Sequence, residues 1–129
     1  MEDNALKSSI LIVDDSAIAL RHISKMIVPL GHKIHVAKSG LQALKLLTTI
    51  NPTLILMDLG MPDMDGFECC ERLKRSAGRA HIPIIFLSGS HDDKDKEKAI
   101  NLGAKDYITK PVSKDALFSK LAEHMPWAQ

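Results

Sequence analysis

Long hydrophobic runs are missing from this chain of 129 residues. Its longest apolar stretches, such as Ile82 to Leu87, fall far short of the ~20 residues a membrane-spanning helix needs. Met1 to Ser9 has no apolar core of the signal-peptide kind. Both absences point to a soluble, cytoplasmic chain. A surplus of one charge sign is also missing: the formal net charge is +1, too little to gather nucleic acid or an anionic membrane surface at long range. Cysteine is scarce, and the only two, Cys69 and Cys70, are adjacent. Neighbouring residues rarely reach the separation of a relaxed disulfide, so the pair reads as two reduced thiols on a helix. The six histidines, at positions 22, 32, 35, 81, 91 and 124, do not recur at metal-ligand spacing and are expected at the surface. Linkers, internal repeats and low-complexity segments are absent, and the length suits one ordinary domain over 1–129, with residues 1–8 as a flexible N-terminal segment.

What the sequence does contain is a repeated alternation. Ser9 to Val13, Thr53 to Met57 and Pro83 to Leu87 are short, nearly continuous apolar runs, the pattern of strands buried on both faces of a parallel sheet. Ile34 to Ala37 and Tyr107 to Thr109 are shorter β-favouring pieces. A helix-length segment separates each run from the next, so the order implies a doubly wound α/β sandwich. The first helix opens at Ser16, carries Leu20, Ile23, Ile27 and Leu30, and stops at Pro29 and Gly31. The second runs from about Ser39 with Ala43, Leu44, Leu47 and Ile50 inward, until Asn51-Pro52 closes it. The third starts near Gly66 and buries Phe67, Cys70 and Leu73. The fourth begins within His91 to Lys98, where acids precede bases and Asp92 can pair with Lys96; this run reads as a solvated face. The fifth follows Pro111 under a Ser113 cap, with Leu117, Phe118, Leu121 and Met125 as its apolar positions.

Chemistry-bearing residues collect at strand ends. Asp14 and Asp15 follow the first strand, Asp58 follows the third, Ser88 ends the fourth and Lys110 ends the fifth. Sites in open parallel sheets form at carboxyl ends, where the strand order reverses. With the flavodoxin-like order 2-1-3-4-5, strands one and three are neighbours and three carboxylates converge. Their mutual repulsion calls for a cation, and an all-oxygen set suits a hard ion, Mg²⁺ best, with Mn²⁺ as the alternative. A carboxylate, a metal, a hydroxyl and an ammonium together are the parts that phosphoryl transfer to an aspartate requires. Taken singly, Asp14 or Asp15 could equally be a helix cap.

These residues resemble the receiver domain of bacterial response regulators. The likeness runs from Ile-Leu-Ile-Val-Asp14-Asp15, through Met57-Asp58-Leu-Gly-Met61-Pro62-Asp-Met-Asp65-Gly66, to Lys110-Pro111. The resemblance implies a five-stranded parallel sheet with helices on both faces, in a chemotaxis-regulator-like switch of a two-component system or phosphorelay. It implies Asp58 as phosphoacceptor, with Asp14, Asp15, Asp58 and the backbone carbonyl of Gly60 holding Mg²⁺. It further implies that Ser88 and Lys110 stabilise the phosphoryl group, that Ser88 and Tyr107 form the switch, and that Lys110-Pro111 is a cis peptide. Gly60 and Ser90 match positions that flank the phosphoryl group and influence its lifetime. Ser88 stands where threonine is common, keeping the hydroxyl but losing a methyl that helps fix the rotamer.

On this reading a histidine kinase or histidine phosphotransfer protein donates the phosphoryl group, and the surface of helix 4, strand 5 and helix 5 changes for a downstream protein or output domain. The chain would promote its own phosphorylation and dephosphorylation, as a signalling switch and not a turnover enzyme. A haloacid-dehalogenase-type phosphatase would need a second acid where Gly60 stands. A flavodoxin-like flavin carrier would need a phosphate cradle where Asp14 and Asp15 stand, and their charge repels phosphate. A pseudo-receiver would not need the full set of five residues. Trp127 reads as packing for the last helix or as a contact with a segment that follows.

Overall fold

The structure is a computed structural model that describes residues 8–90 and 92–125. Five strands form one parallel sheet in the order β2-β1-β3-β4-β5: β1 Ser9–Val13, β2 Lys33–Ala37, β3 Leu54–Asp58, β4 Ile84–Ser88 and β5 Asp106–Thr109. The connecting helices are α1 Ala17–Ile27, α2 Gly40–Leu46, α3 Gly66–Lys74, α4 Asp93–Asn101 and α5 Lys114–His124. Strand alternation divides the interior in two. Leu11, Val13, Ile55, Met57, Ile84 and Phe86 face Ala43, Cys69, Cys70, Leu73 and Ala99 of α2, α3 and α4. Ile10, Ile12, Leu54, Leu56, Ile85 and Leu87 face Leu20, Ile23, Leu117 and Leu121 of α1 and α5. A strand with both faces covered has no polar alternation, which is why the central runs read as continuous apolar stretches.

Side-chain caps start each of α1 to α5: Ser16 accepts from the Ala19 amide, Ser39 from Gln42, Asp65 from Glu68, Asp92 from Lys94 and Ser113 from Ala116. Several expectations need correction. Leu30 is not on the apolar stripe of α1. It lies in a 3₁₀ turn, Val28–Leu30, and is 42% exposed, because Pro29 tightens the helix end and Gly31 leaves it at φ 86°. Helix α2 stops at Leu46, earlier than Asn51-Pro52 implies; the Thr48 and Thr49 hydroxyls donate to the carbonyls of Lys45 and Leu46 and so occupy its free acceptors. Ile50 still packs on the core. Asp92 forms no ion pair with Lys96 among the described residues, because its carboxylate is spent on the Lys94 amide.

Strand β3 ends one residue later than expected, on Asp58, and β4 ends on Ser88 as expected, so both are terminal strand residues held in the ladder. At the other boundary Ser8 is not a loose end: it is buried, its hydroxyl bonds His32 and its carbonyl accepts from the Lys33 amide. Residues 1–7 lie outside the described residues, as do His91 and Trp127. Both thiols are free and buried, as the sequence suggests. Among the histidines, His22 and His81 are exposed, whereas His32, His35 and His124 are half-buried against polar or charged neighbours. No helix of the described residues is long and apolar enough to cross a membrane.

Candidate functional site

The strand order decides where the carboxylates meet. Val13 sits opposite Met57 in the β1–β3 pairing, so the residues that follow, Asp14 and Asp58, leave the sheet side by side. Carboxylate oxygens of Asp14, Asp15 and Asp58 all lie within 4.8 Å of one another. Asp14 and Asp58 are buried, and Asp15 faces solvent. One Asp14 oxygen accepts the Ser16 amide at 2.9 Å, so this residue also steadies the start of α1. Its other oxygen faces the interior of the cluster.

Lys110 closes the cluster from β5. Its amide donates to the Ser88 carbonyl at 2.7 Å, extending the β4–β5 ladder by one bond. The next peptide, Lys110-Pro111, is cis, as the motif implies. The Lys110 ammonium then sits 2.8 Å from Asp58 Oδ1 and 3.0 Å from Asp14 Oδ2. Burial disfavours its charge, but the hydrogen bonds to Asp58 and Asp14 outweigh burial and raise its pKa above the ordinary lysine value. For Asp58 the balance goes the other way. Burial pushes its carboxyl up, the charges of Asp14 and Asp15 add to that, and the Lys110 hydrogen bond only partly offsets them. One ammonium therefore leaves this cluster short of positive charge.

Ser88 and Tyr107 converge on one residue. The Ser88 hydroxyl accepts the Ser90 amide at 3.0 Å, and the buried Tyr107 ring places its hydroxyl 3.3 Å from the Ser90 carbonyl, to which it donates. Ser90 thus joins the two residues through its backbone, a link that no sequence pattern indicated. Gly60 is exposed, with open space around a would-be Cβ. Gly66 is the opposite case: a Cβ there would lie 2.7 Å from the Asp58 carbonyl oxygen and 2.8 Å from the Phe86 ring. Only glycine lets α3 start this close to the end of β3.

Asp14, Asp15, Asp58, Gly60, Ser88 and Lys110 thus share one sheet edge, with Tyr107 two residues before the end of β5. The model of the family described as the response regulator receiver domain matches residues 10–122. The chain belongs to that family. Receiver domains are signalling switches of two-component systems, and the chain has their five-stranded 2-1-3-4-5 sheet with five helices. Protein PilH of Pseudomonas aeruginosa is 33% identical over 87% of this chain and 93% of its own length. A Vibrio cholerae protein named "Probable cyclic di-GMP phosphodiesterase" is 38% identical over 97% of this chain, which spans only 28% of that relative. Against the first two curated relatives this receiver domain spans half of the length or less. Among solved structures, the receiver domain of a Pseudomonas aeruginosa sensor histidine kinase, with a magnesium ion coordinated in its active site cleft, superposes with a TM-score of 0.83. It is 26% identical and covers 92% of this chain and 97% of its own.

Sequence reasoning missed a second polar cluster, at the other end of β5. Asp106 meets His124 and Lys120 of α5 there, at 2.8 and 3.0 Å. Burial works against the Asp106 charge, but hydrogen bonds from His124, Lys120 and the Tyr107 amide hold its pKa below the usual carboxylate range. No signal in the chain links residues 14 to 18 positions apart until β5 and α5 are packed together.

Proposed function

We propose that this receiver domain takes a phosphoryl group onto Asp58 from the phosphohistidine of a histidine kinase or a histidine phosphotransfer protein. The observation that carries the reading is the Lys110 ammonium bridging Asp58 and Asp14 inside a three-carboxylate cluster. The donor set fits Mg²⁺, or Mn²⁺ in its place, since every candidate ligand is an oxygen: the carboxylates of Asp14, Asp15 and Asp58 and the carbonyl of Gly60. When bound, the ion supplies the positive charge that Lys110 alone does not, offsetting the phosphoryl oxygens as charge shifts onto them.

An Asp58 oxygen attacks phosphorus, the P–N bond to the donor imidazole breaks, and the bonding pair leaves on the imidazole nitrogen. Lys110 holds Asp58 in place beforehand and pairs with a phosphoryl oxygen afterwards. Ser88 gives up the Ser90 amide to donate its hydroxyl to the phosphoryl group. Because Ser90 also accepts from Tyr107, that exchange biases the Tyr107 ring and the surface of α4, β5 and α5, a population shift between two packings. Downstream recognition then reads that surface.

Intact mass after incubation with Mg²⁺ and acetyl phosphate tests the reading. One phosphoryl adduct is expected, dependent on metal, suppressed by beryllofluoride and absent in Asp58→Ala. An unmodified wild-type chain that also fails to bind beryllofluoride would assign it to the pseudo-receivers.

A further inference from the structure

The cluster at the amino-terminal end of β5 lies two strands across the sheet from Asp58 and two residues back in register, and the phosphoryl chemistry proposed for Asp58 does not use it. His124 Nε2 lies 2.8 Å from Asp106 Oδ2 and 3.7 Å from Glu123 Oε2. One ligand atom each from Asp106, Glu123 and His124 can be chosen so that all fall within 4.8 Å of one another. The Asp106 and His124 side chains keep only 18% and 14% of their exposure, so two of the three donors are held by packing. Asp106 is oriented further by accepting its neighbour's amide, Tyr107 N, at 2.8 Å.

A cation already sits here: Lys120 Nζ is 3.0 Å from Asp106 Oδ2 and 3.9 Å from Glu123 Oε1. Two carboxylates, Asp106 and Glu123, share that one ammonium. The carbonyls at the end of α5 add further negative potential, because Glu123 and His124 occupy its last turn. We propose that Asp106, Glu123 and His124 form a second metal site, selective for a borderline divalent ion of the zinc class, with Lys120 as its built-in competitor.

An imidazole with two carboxylates suits Zn²⁺ and leaves a coordination position for water, whereas an all-oxygen pocket suits Mg²⁺. Lys120 is one-third exposed on a flexible stem, so it can swing into solvent when the dication enters. Bound metal would fasten the last turn of α5 to the first residue of β5, immediately before Tyr107. The proposal does not depend on phosphorylation of Asp58.

The test is calorimetric titration of zinc chloride into the tag-free full chain. Asp15→Asn and Asp58→Asn are introduced in the background to deny zinc the carboxylate pocket, and each protein is checked for folding by circular dichroism. One equivalent of zinc is expected. His124→Gln should weaken binding at least about tenfold, Lys120→Met should tighten it, and the imidazole resonances of His124 should move on zinc addition. No zinc uptake, uptake indifferent to His124→Gln, or affinity unchanged in Lys120→Met would each overturn the proposal, the last by showing that the ammonium and the metal do not share a place.

Discussion

At the scale of single residues, Asp58 carries an electrostatic cost that the fold tolerates. Its carboxyl is buried beside two other acids and bonded to the Lys110 ammonium, and its pKa is raised by burial first, with Asp14 and Asp15 adding to that against the Lys110 hydrogen bond. A carboxyl whose folded pKa exceeds its unfolded value stabilises the fold below the unfolded pKa, and that contribution is lost as pH rises through the folded pKa. Asp58→Asn should therefore stabilise the metal-free chain at pH 7.5 by about 1 kcal/mol, the low end of what an imperfectly compensated buried charge costs. The gain should shrink as pH falls toward ~4. Urea unfolding in EDTA at several pH values checks this; a gap that stays constant or widens in acid would contradict the assignment. Cys69 sits in the contrasting environment. Burial, with a smaller push from Cys70, drives its thiol up to about 12, so it is protonated and inert at neutral pH. A disulfide reagent such as DTNB should leave both thiols unmodified in the native chain and titrate both in guanidinium.

At the scale of elements, the helices were largely legible because each start is written locally: Ser16, Ser39, Asp65, Asp92 and Ser113 all cap as their residue types imply. Their ends were less legible, since Thr48 and Thr49 terminate α2 by bonding its last carbonyls and Arg79, 32 residues away, donates to the Leu47 carbonyl. The closeness of β3 to α3 is the element-level feature most tightly bound to the proposed role of Asp58. Gly66→Ala would press a methyl against the Asp58 carbonyl and the Phe86 ring, costing about 1–3 kcal/mol as an overpacked site does. It should also slow acetyl phosphate uptake by displacing the Asp58 backbone. Gly60→Ala, with nothing within 4 Å of the added carbon, should change stability by less than about 0.5 kcal/mol. Denaturant midpoints and phosphorylation rates of the two variants, measured together, separate a packing constraint from a general intolerance of alanine in this loop.

At the scale of the whole molecule, the site was legible in the sequence because parallel strands deliver their carboxyl ends to one edge: Asp14, Asp58, Ser88 and Lys110 needed only the strand order to be placed. The Asp106–His124 contact and the shared Ser90 link depend on how a helix and two loops settle on that sheet, which no local pattern encodes. Beside Lys110 the site has an apolar rim with no chemical role. Ile18, at the start of α1, is 81% exposed, and with Ala19, His22, Ile23, Pro111 and Val112 it borders an open hollow of about 440 Å³ next to Lys110. On the proposed function, a protein donor would cover this rim while delivering its phosphohistidine to Asp58, whereas acetyl phosphate is small enough to enter without touching it. An apolar side chain left in water becomes favourable only when something covers it. Ile18→Ser should therefore slow transfer from a phosphorylated histidine phosphotransfer protein by about tenfold, the equivalent of 1.4 kcal/mol, while leaving acetyl phosphate uptake and the unfolding midpoint unchanged. Equal loss with both donors would place the effect in the site itself, and no loss with either would remove α1 from the docking surface.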